Sequence, residues 1–86
     1  MYRVFIERSA DKDLATLDNK IEEKIVEMLE SLKINPRPKG AKKLIGGTDA
    51  WRIRAGDIRI LYEVDDTQKE VRIYRIKKRD KAYQDI

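Results

Sequence analysis

Along the chain, polar and apolar positions first alternate in YRVFIE (residues 2–7), which is β-branched enough to predict a strand. From Ser9 to Asn35 the apolar residues Leu14, Leu17, Ile21, Ile25, Met28 and Leu32 recur at intervals of 3 and 4. That spacing puts them on one stripe of an amphipathic helix, or of two helices in a hairpin. Asn19 followed by Glu22 resembles a capping box and places the start of a second helix near LDNK. NPRPKG (35–40) ends the helical stretch, because Pro36 disfavours helical geometry at Asn35 and Pro38 with Gly40 prevents resumption. KGAKKLIGG (39–47) then reads as a basic loop with a turn at Gly46-Gly47. Three strands follow at about 50–55, 58–64 and 71–77, joined tightly by Ala55-Gly56-Asp57 and more loosely by DDTQKE (65–70).

The order β-α-α-β-β-β over residues 1–86 predicts one small α+β domain: a helical hairpin packed on one face of a mostly antiparallel four-stranded sheet. Alternation assigns Trp51, Ile53, Ile58, Ile60, Tyr62 and Val64 to the covered face and Arg52, Arg54, Arg59, Leu61 and Glu63 to the open one. The last strand resists this assignment, since Val71, Ile73 and Ile76 do not share one parity.

Composition sharpens the picture by exclusion. The 86 residues are 41% hydrophobic, too apolar for disorder, and 42% charged, with a net charge of +4. Absence of Cys removes disulfides and thiolate zinc sites and suits a reducing cytoplasm, the expected location. Absence of His removes another common metal ligand and the usual neutral-pH general base. No apolar run is long enough to span a membrane, so no membrane association is expected. The charge is unevenly spread: −2 over residues 1–35, +5 over 36–60, −3 over 61–70 and +4 over 71–86. A basic excess gathered in the mid-chain hairpin and the C-terminus favours a nucleic-acid partner.

Phosphodiester binding needs fixed positive charge, which arginine supplies in a planar fork matched to phosphate oxygens. Arg52 and Arg54 lie two residues apart on one strand, roughly 6.6–6.8 Å, a spacing that can bracket one phosphate or touch neighbouring ones. Arg59, Lys42, Lys43 and Lys77 extend this candidate phosphate-binding surface. An exposed charged strand face also keeps a small domain soluble, so the pattern alone leaves both readings open. Near the C-terminus, Lys78, Arg79 and Tyr83 form a second basic cluster with an aromatic that can stack on a base. Neighbouring cations would lower the Tyr83 phenol toward neutrality, and Lys78 can donate a proton to a leaving oxygen. Arginine is no practical base, so Arg52, Arg54 and Arg79 would orient the phosphate and stabilise transition-state charge. Asp65-Asp66 lies in a turn and Glu22-Glu23 on a helix among lysines, so neither is read as a metal site. Without His, a hydrolase triad is excluded, and no Gly-rich phosphate loop or cofactor motif is present.

Over essentially its whole length, the chain resembles the RelE toxins of the RelE/ParE superfamily. The resemblance rests on WRIRAGDIRILYEVDD (51–66), with its G-D-x-R-x-x-Y hairpin, followed by VRIYRIKKRDKAY (71–83). It implies a ribosome-dependent mRNA endonuclease acting in the A site without metal, the ribose 2′-oxygen attacking the adjacent phosphate. It also implies inhibition by an acidic RelB-like antitoxin that wraps the toxin. By position, Arg52 and Arg54 match strand residues that activate the nucleophile and steady the phosphate, Arg59 and Arg79 match phosphate-contacting arginines, and Tyr83 matches a tyrosine that stacks on or activates the substrate. Two departures stand out: arginine replaces the lysine frequent in the hairpin, and Lys77-Lys78-Arg79 replaces a frequent G-H-R, with Lys78 where the His would be. Two alternatives follow from the same fold: a ParE-like inhibitor of DNA gyrase, and a non-catalytic toxin that binds RNA or the ribosome.

Overall fold

The computed structural model describes residues 1–46 and 49–78. Along the chain these form β1 (Arg3–Ile6), α1 (Arg8–Ala15), α2 (Asn19–Ser31), β2 (Lys42–Lys43), β3 (Ala50–Ala55), β4 (Ile58–Asp65) and β5 (Glu70–Lys78). The sheet has five strands in the order β1-β5-β4-β3-β2. The expected four strands are all present; the fifth, β2, is a two-residue stretch of the basic loop that pairs with Arg52 and Trp51. All neighbours are antiparallel except β1 and β5, which run parallel because the two helices carry the chain between β1 and the rest of the sheet.

Asp18, one residue before the expected cap, begins α2 by accepting a hydrogen bond from the Ile21 N–H at 3.1 Å. The helix buries Ile25 and Leu29, with Leu32 at its C-cap, while Ile21 and Met28 are half-buried at the margin. They pack with Ala10, Leu14 and Leu17 against Ile53, Ile58, Ile60, Tyr62 and Val64 of the hairpin. The covered face is therefore the one that alternation assigned.

The parity conflict in β5 has a local cause. Leu61 pairs with Arg75 but Tyr62 pairs with Ile73, so Tyr74 is an extra residue that shifts the register. The bulge lets Val71, Ile73 and Ile76 all face the core, where each is 3% exposed or less. Beyond Ile73, β1 has ended and the outer edge of β5 lies open. Asp13 of α1 closes it, its carboxylate accepting from the Ile76 N–H and the Arg75 Nε, both at 2.9 Å.

Tyr62 ties the sheet to the segment after α2. Its ring is fully buried and its hydroxyl donates to the Pro36 carbonyl at 2.7 Å. Burial pushes its phenol up to about 12. Tyr62→Phe is expected to lower the unfolding free energy by about 1–2 kcal/mol in denaturant titration, because it removes this bond and leaves a buried carbonyl without its donor. Alkali offers a second readout. The unfolded chain gives up the phenolic proton near pH 10 and the folded chain near 12, so stability present below pH 10 is lost across that interval. The share due to Tyr62 is about 2–3 kcal/mol and is absent from the Phe variant.

Candidate nucleic-acid interface

The hairpin register determines what the open face presents. Gly56 takes φ 61°, which suits the first position of a two-residue connection between Ala55 and Ile58. Residues opposite each other in antiparallel strands share a face, so this tight turn sets Arg54 against Arg59 and Arg52 against Leu61. On the flanking strands Lys42 lies opposite Arg52, and Lys77 lies opposite Arg59. Two rows result: Lys42, Arg52, Leu61 and Arg75, then Arg54, Arg59 and Lys77.

Three of these cross-strand neighbours are like-charge pairs, each costing about 0.2–1 kcal/mol in the absence of an anion. A solubilising surface would alternate signs to avoid that cost. The gathered cations instead form a field that a polyanion relieves. Arg54 is exposed and Arg59 half-buried, and neither makes an ion pair among the described residues. Arg75 is differently placed, because Asp13 already holds its guanidinium. Leu61, half-buried between Arg52 and Arg75, gives the rows an apolar centre.

Not every candidate joins this surface. Lys43 pairs with Trp51 and Lys78 with Ile58, so both belong by register to the opposite, helix-covered side. Lys78 lines a groove of about 1260 Å³ between α2 and the hairpin turn, away from Arg54 and Arg59. Arg79 and Tyr83 lie outside the described residues. The assembled part of the predicted set is therefore Arg52, Arg54, Arg59, Lys42 and Lys77. The only signal separating Lys42 from Lys43 is strand pairing, and a two-residue strand leaves no alternation to detect.

A second ionic cluster, with no signal in the sequence pattern, gathers around Trp51 on the other side of the hairpin. Arg37, in the segment after α2, donates from Nη1 and Nη2 to the Asp66 carboxylate at 3.2 and 2.9 Å and also to Asp49. Its guanidinium sits 5.4 Å from the centre of the Trp51 ring. Trp51 Nε1 in turn donates to Asp49 at 2.6 Å, and the Tyr2 hydroxyl donates to Asp66 at 2.6 Å. Hydrogen bonds from Arg37 and Tyr2 hold the Asp66 carboxyl below its ordinary range. Asp49 and Asp66 are thus committed to a structural clasp rather than to Arg54 and Arg59. Among the described residues, no group of acidic side chains is suited to hold a metal ion.

The comparisons agree with this architecture. The family model described as the ParE toxin of the type II toxin–antitoxin system parDE matches residues 4–83. A curated protein of Methanocaldococcus jannaschii with the provisional name toxin RelE1 is 34% identical over 85 residues, covering 95% of this chain and 94% of that protein. Among solved structures, a chain of the toxin–antitoxin complex RelBE2 of Mycobacterium tuberculosis superposes with a TM-score of 0.80 at 30% identity, covering 91% of this chain and 98% of that one. A chain of the archaeal RelE–RelB complex of Pyrococcus horikoshii gives 0.79 at 29%, covering 91% and 94%. Sequence, register and fold converge: the chain belongs to the ParE toxin family of type II toxin–antitoxin systems and is a toxin of the RelE type.

Proposed function

We propose that this toxin is a ribosome-dependent endoribonuclease that cuts mRNA in the A site and so stops translation in the cytoplasm. The observation that carries the proposal is the pair of basic rows on the open sheet face, with Arg54 and Arg59 opposite each other beside the hairpin turn. The reaction is transesterification: the 2′-oxygen attacks the adjacent phosphorus, the bond to the 5′-oxygen breaks, and a 2′,3′-cyclic phosphate and a 5′-hydroxyl remain. The 2′-hydroxyl gives up its proton and the departing 5′-oxygen takes one up. Arg52, Arg54 and Arg59 orient the phosphate and stabilise the charge on its non-bridging oxygens, the work for which permanently charged groups are suited. On the family resemblance Tyr83 serves proton transfer or stacking and Arg79 a further phosphate contact; Lys78, on the other side of the sheet, contributes only to the positive field.

The inhibitor in this proposal is an acidic RelB-like antitoxin. The M. tuberculosis relative comes from the toxin–antitoxin complex RelBE2 and the P. horikoshii relative from a RelE–RelB complex. The segmental charges of +5 and +4 in the hairpin and tail suit an acidic, partly disordered partner that folds on binding. Expression without the antitoxin is expected to arrest growth with fragmentation of translated mRNA, and co-expression of the neighbouring small acidic reading frame to relieve it. Arrest with intact transcripts would overturn the nuclease reading. The match to a parDE family model favours gyrase inhibition as the second reading; loss of supercoiling by purified gyrase at micromolar toxin would establish it.

A further inference from the structure

A bare stretch of sheet edge adjoins the basic face. β2 covers only Arg52 and Trp51 of β3, so from Ile53 to Ala55 the outer edge of β3 has no strand neighbour among the described residues. The chain reaches β2 through a turn closed by the Ala41 N–H donating to the Pro38 carbonyl at 2.9 Å. Gly40 takes φ 99° in this turn, a left-handed value that favours glycine, and Lys39 beside it is exposed. Between the turn and the bare edge lies a notch of about 320 Å³.

The lining of this notch is chemically divided. Met28, Pro38 and Ile53 supply apolar surface, Lys39, Lys42, Arg52 and Arg54 supply cations, and none of the described residues lining it is acidic. Lys39, Lys42 and Arg54 make no ion pair among the described residues. Few convergent charges around an apolar floor are the arrangement of a site for a small amphiphilic anion. Lys42 and Arg54 also belong to the basic rows, so the notch continues the open face around the sheet edge.

We propose that this notch is a phosphate subsite that holds one nucleotide of single-stranded RNA. Its phosphate lies on Lys39 and Lys42, and its ribose and base rest against Met28, Pro38 and Ile53. The proposal rests on the nuclease reading and gives the notch a task within it. By gripping a phosphate next to the one over Arg54, the notch fixes which phosphodiester meets the guanidinium groups. Lys39 is then a positioning residue, acting through the register of the bound strand.

The test is a titration of the full-length protein with a labelled single-stranded RNA across a range of salt, for wild type, Lys39→Ala, and Lys39→Ala with Lys42→Ala. Each phosphate neutralised on a single strand contributes a log–log salt slope of about 0.7, so the double variant, which loses the one phosphate that Lys39 and Lys42 share, is expected to lose about 0.7. In the wild type, RNA is expected to shift the Lys39, Gly40 and Ala41 amide resonances and to displace inorganic phosphate from them. An unchanged slope in the double variant, or inorganic phosphate that RNA does not displace, overturns the subsite. If the slope is unchanged while Arg54→Ala still abolishes ribosomal cleavage, the notch falls and the nuclease reading stands. If wild-type protein neither binds RNA nor cleaves it on ribosomes, both fall.

Discussion

Arg54→Ala is expected to reduce ribosome-dependent cleavage by about 10²–10³-fold, the effect of removing one preorganised donor from a developing oxyanion. Arg54 is exposed, lies opposite Arg59 and is unpaired among the described residues, so its removal leaves no buried group unsatisfied. It also relieves a like-charge pair, so thermal stability should hold or rise slightly while activity collapses. That opposition separates a functional cation from a solubilising one. Arg54→Lys provides a further comparison, since lysine keeps the charge but loses the fork. A variant with wild-type cleavage would remove Arg54 from the site.

The second large effect concerns stability. Arg37→Met is expected to lower the unfolding free energy by about 1–2 kcal/mol in denaturant titration, by leaving the part-buried Asp49 carboxylate without its cation. The loss of the stacking contact over Trp51 is part of that figure. The cost exceeds that of an ordinary surface pair because the same guanidinium also covers an aromatic ring. The clasp also predicts a pH response. Because the Asp66 carboxyl is depressed from 3.8, its contribution is present above that pH and is lost as acid carries the folded protein through the lower value. The acid limb of the melting curve should therefore be shallower in Arg37→Met than in wild type. A change within experimental error in both measurements would show that the clasp is ornamental.

Local spacing and non-local pairing leave different traces in the sequence. The helical stripe and the alternation of 51–64 were legible because each depends on spacing within one element, and the core follows both. The bulge at Tyr74 was not, since it is defined by pairing with β4, and single-strand parity can register only the conflict it resolves. The clasp was hidden for a similar reason: Arg37 and Asp66 are 29 positions apart, and Tyr2 and Asp66 are 64 apart. The basic hairpin residues were identifiable as a set, but their rows depend on cross-strand register. Register also sends Lys43 and Lys78 to the other side, where their sequence neighbours Lys42 and Lys77 do not go.

The central claim is that the basic rows hold an mRNA phosphodiester for cleavage on the ribosome. Purified toxin, mixed with ribosomes carrying a defined mRNA and an empty A site, tests it most directly. The account predicts cutting within the A-site codon, a 2′,3′-cyclic phosphate at the new end, and loss of cutting with a 2′-deoxy nucleotide at the cleavage position or with Arg54→Ala. Intact mRNA at saturating wild-type toxin would contradict it.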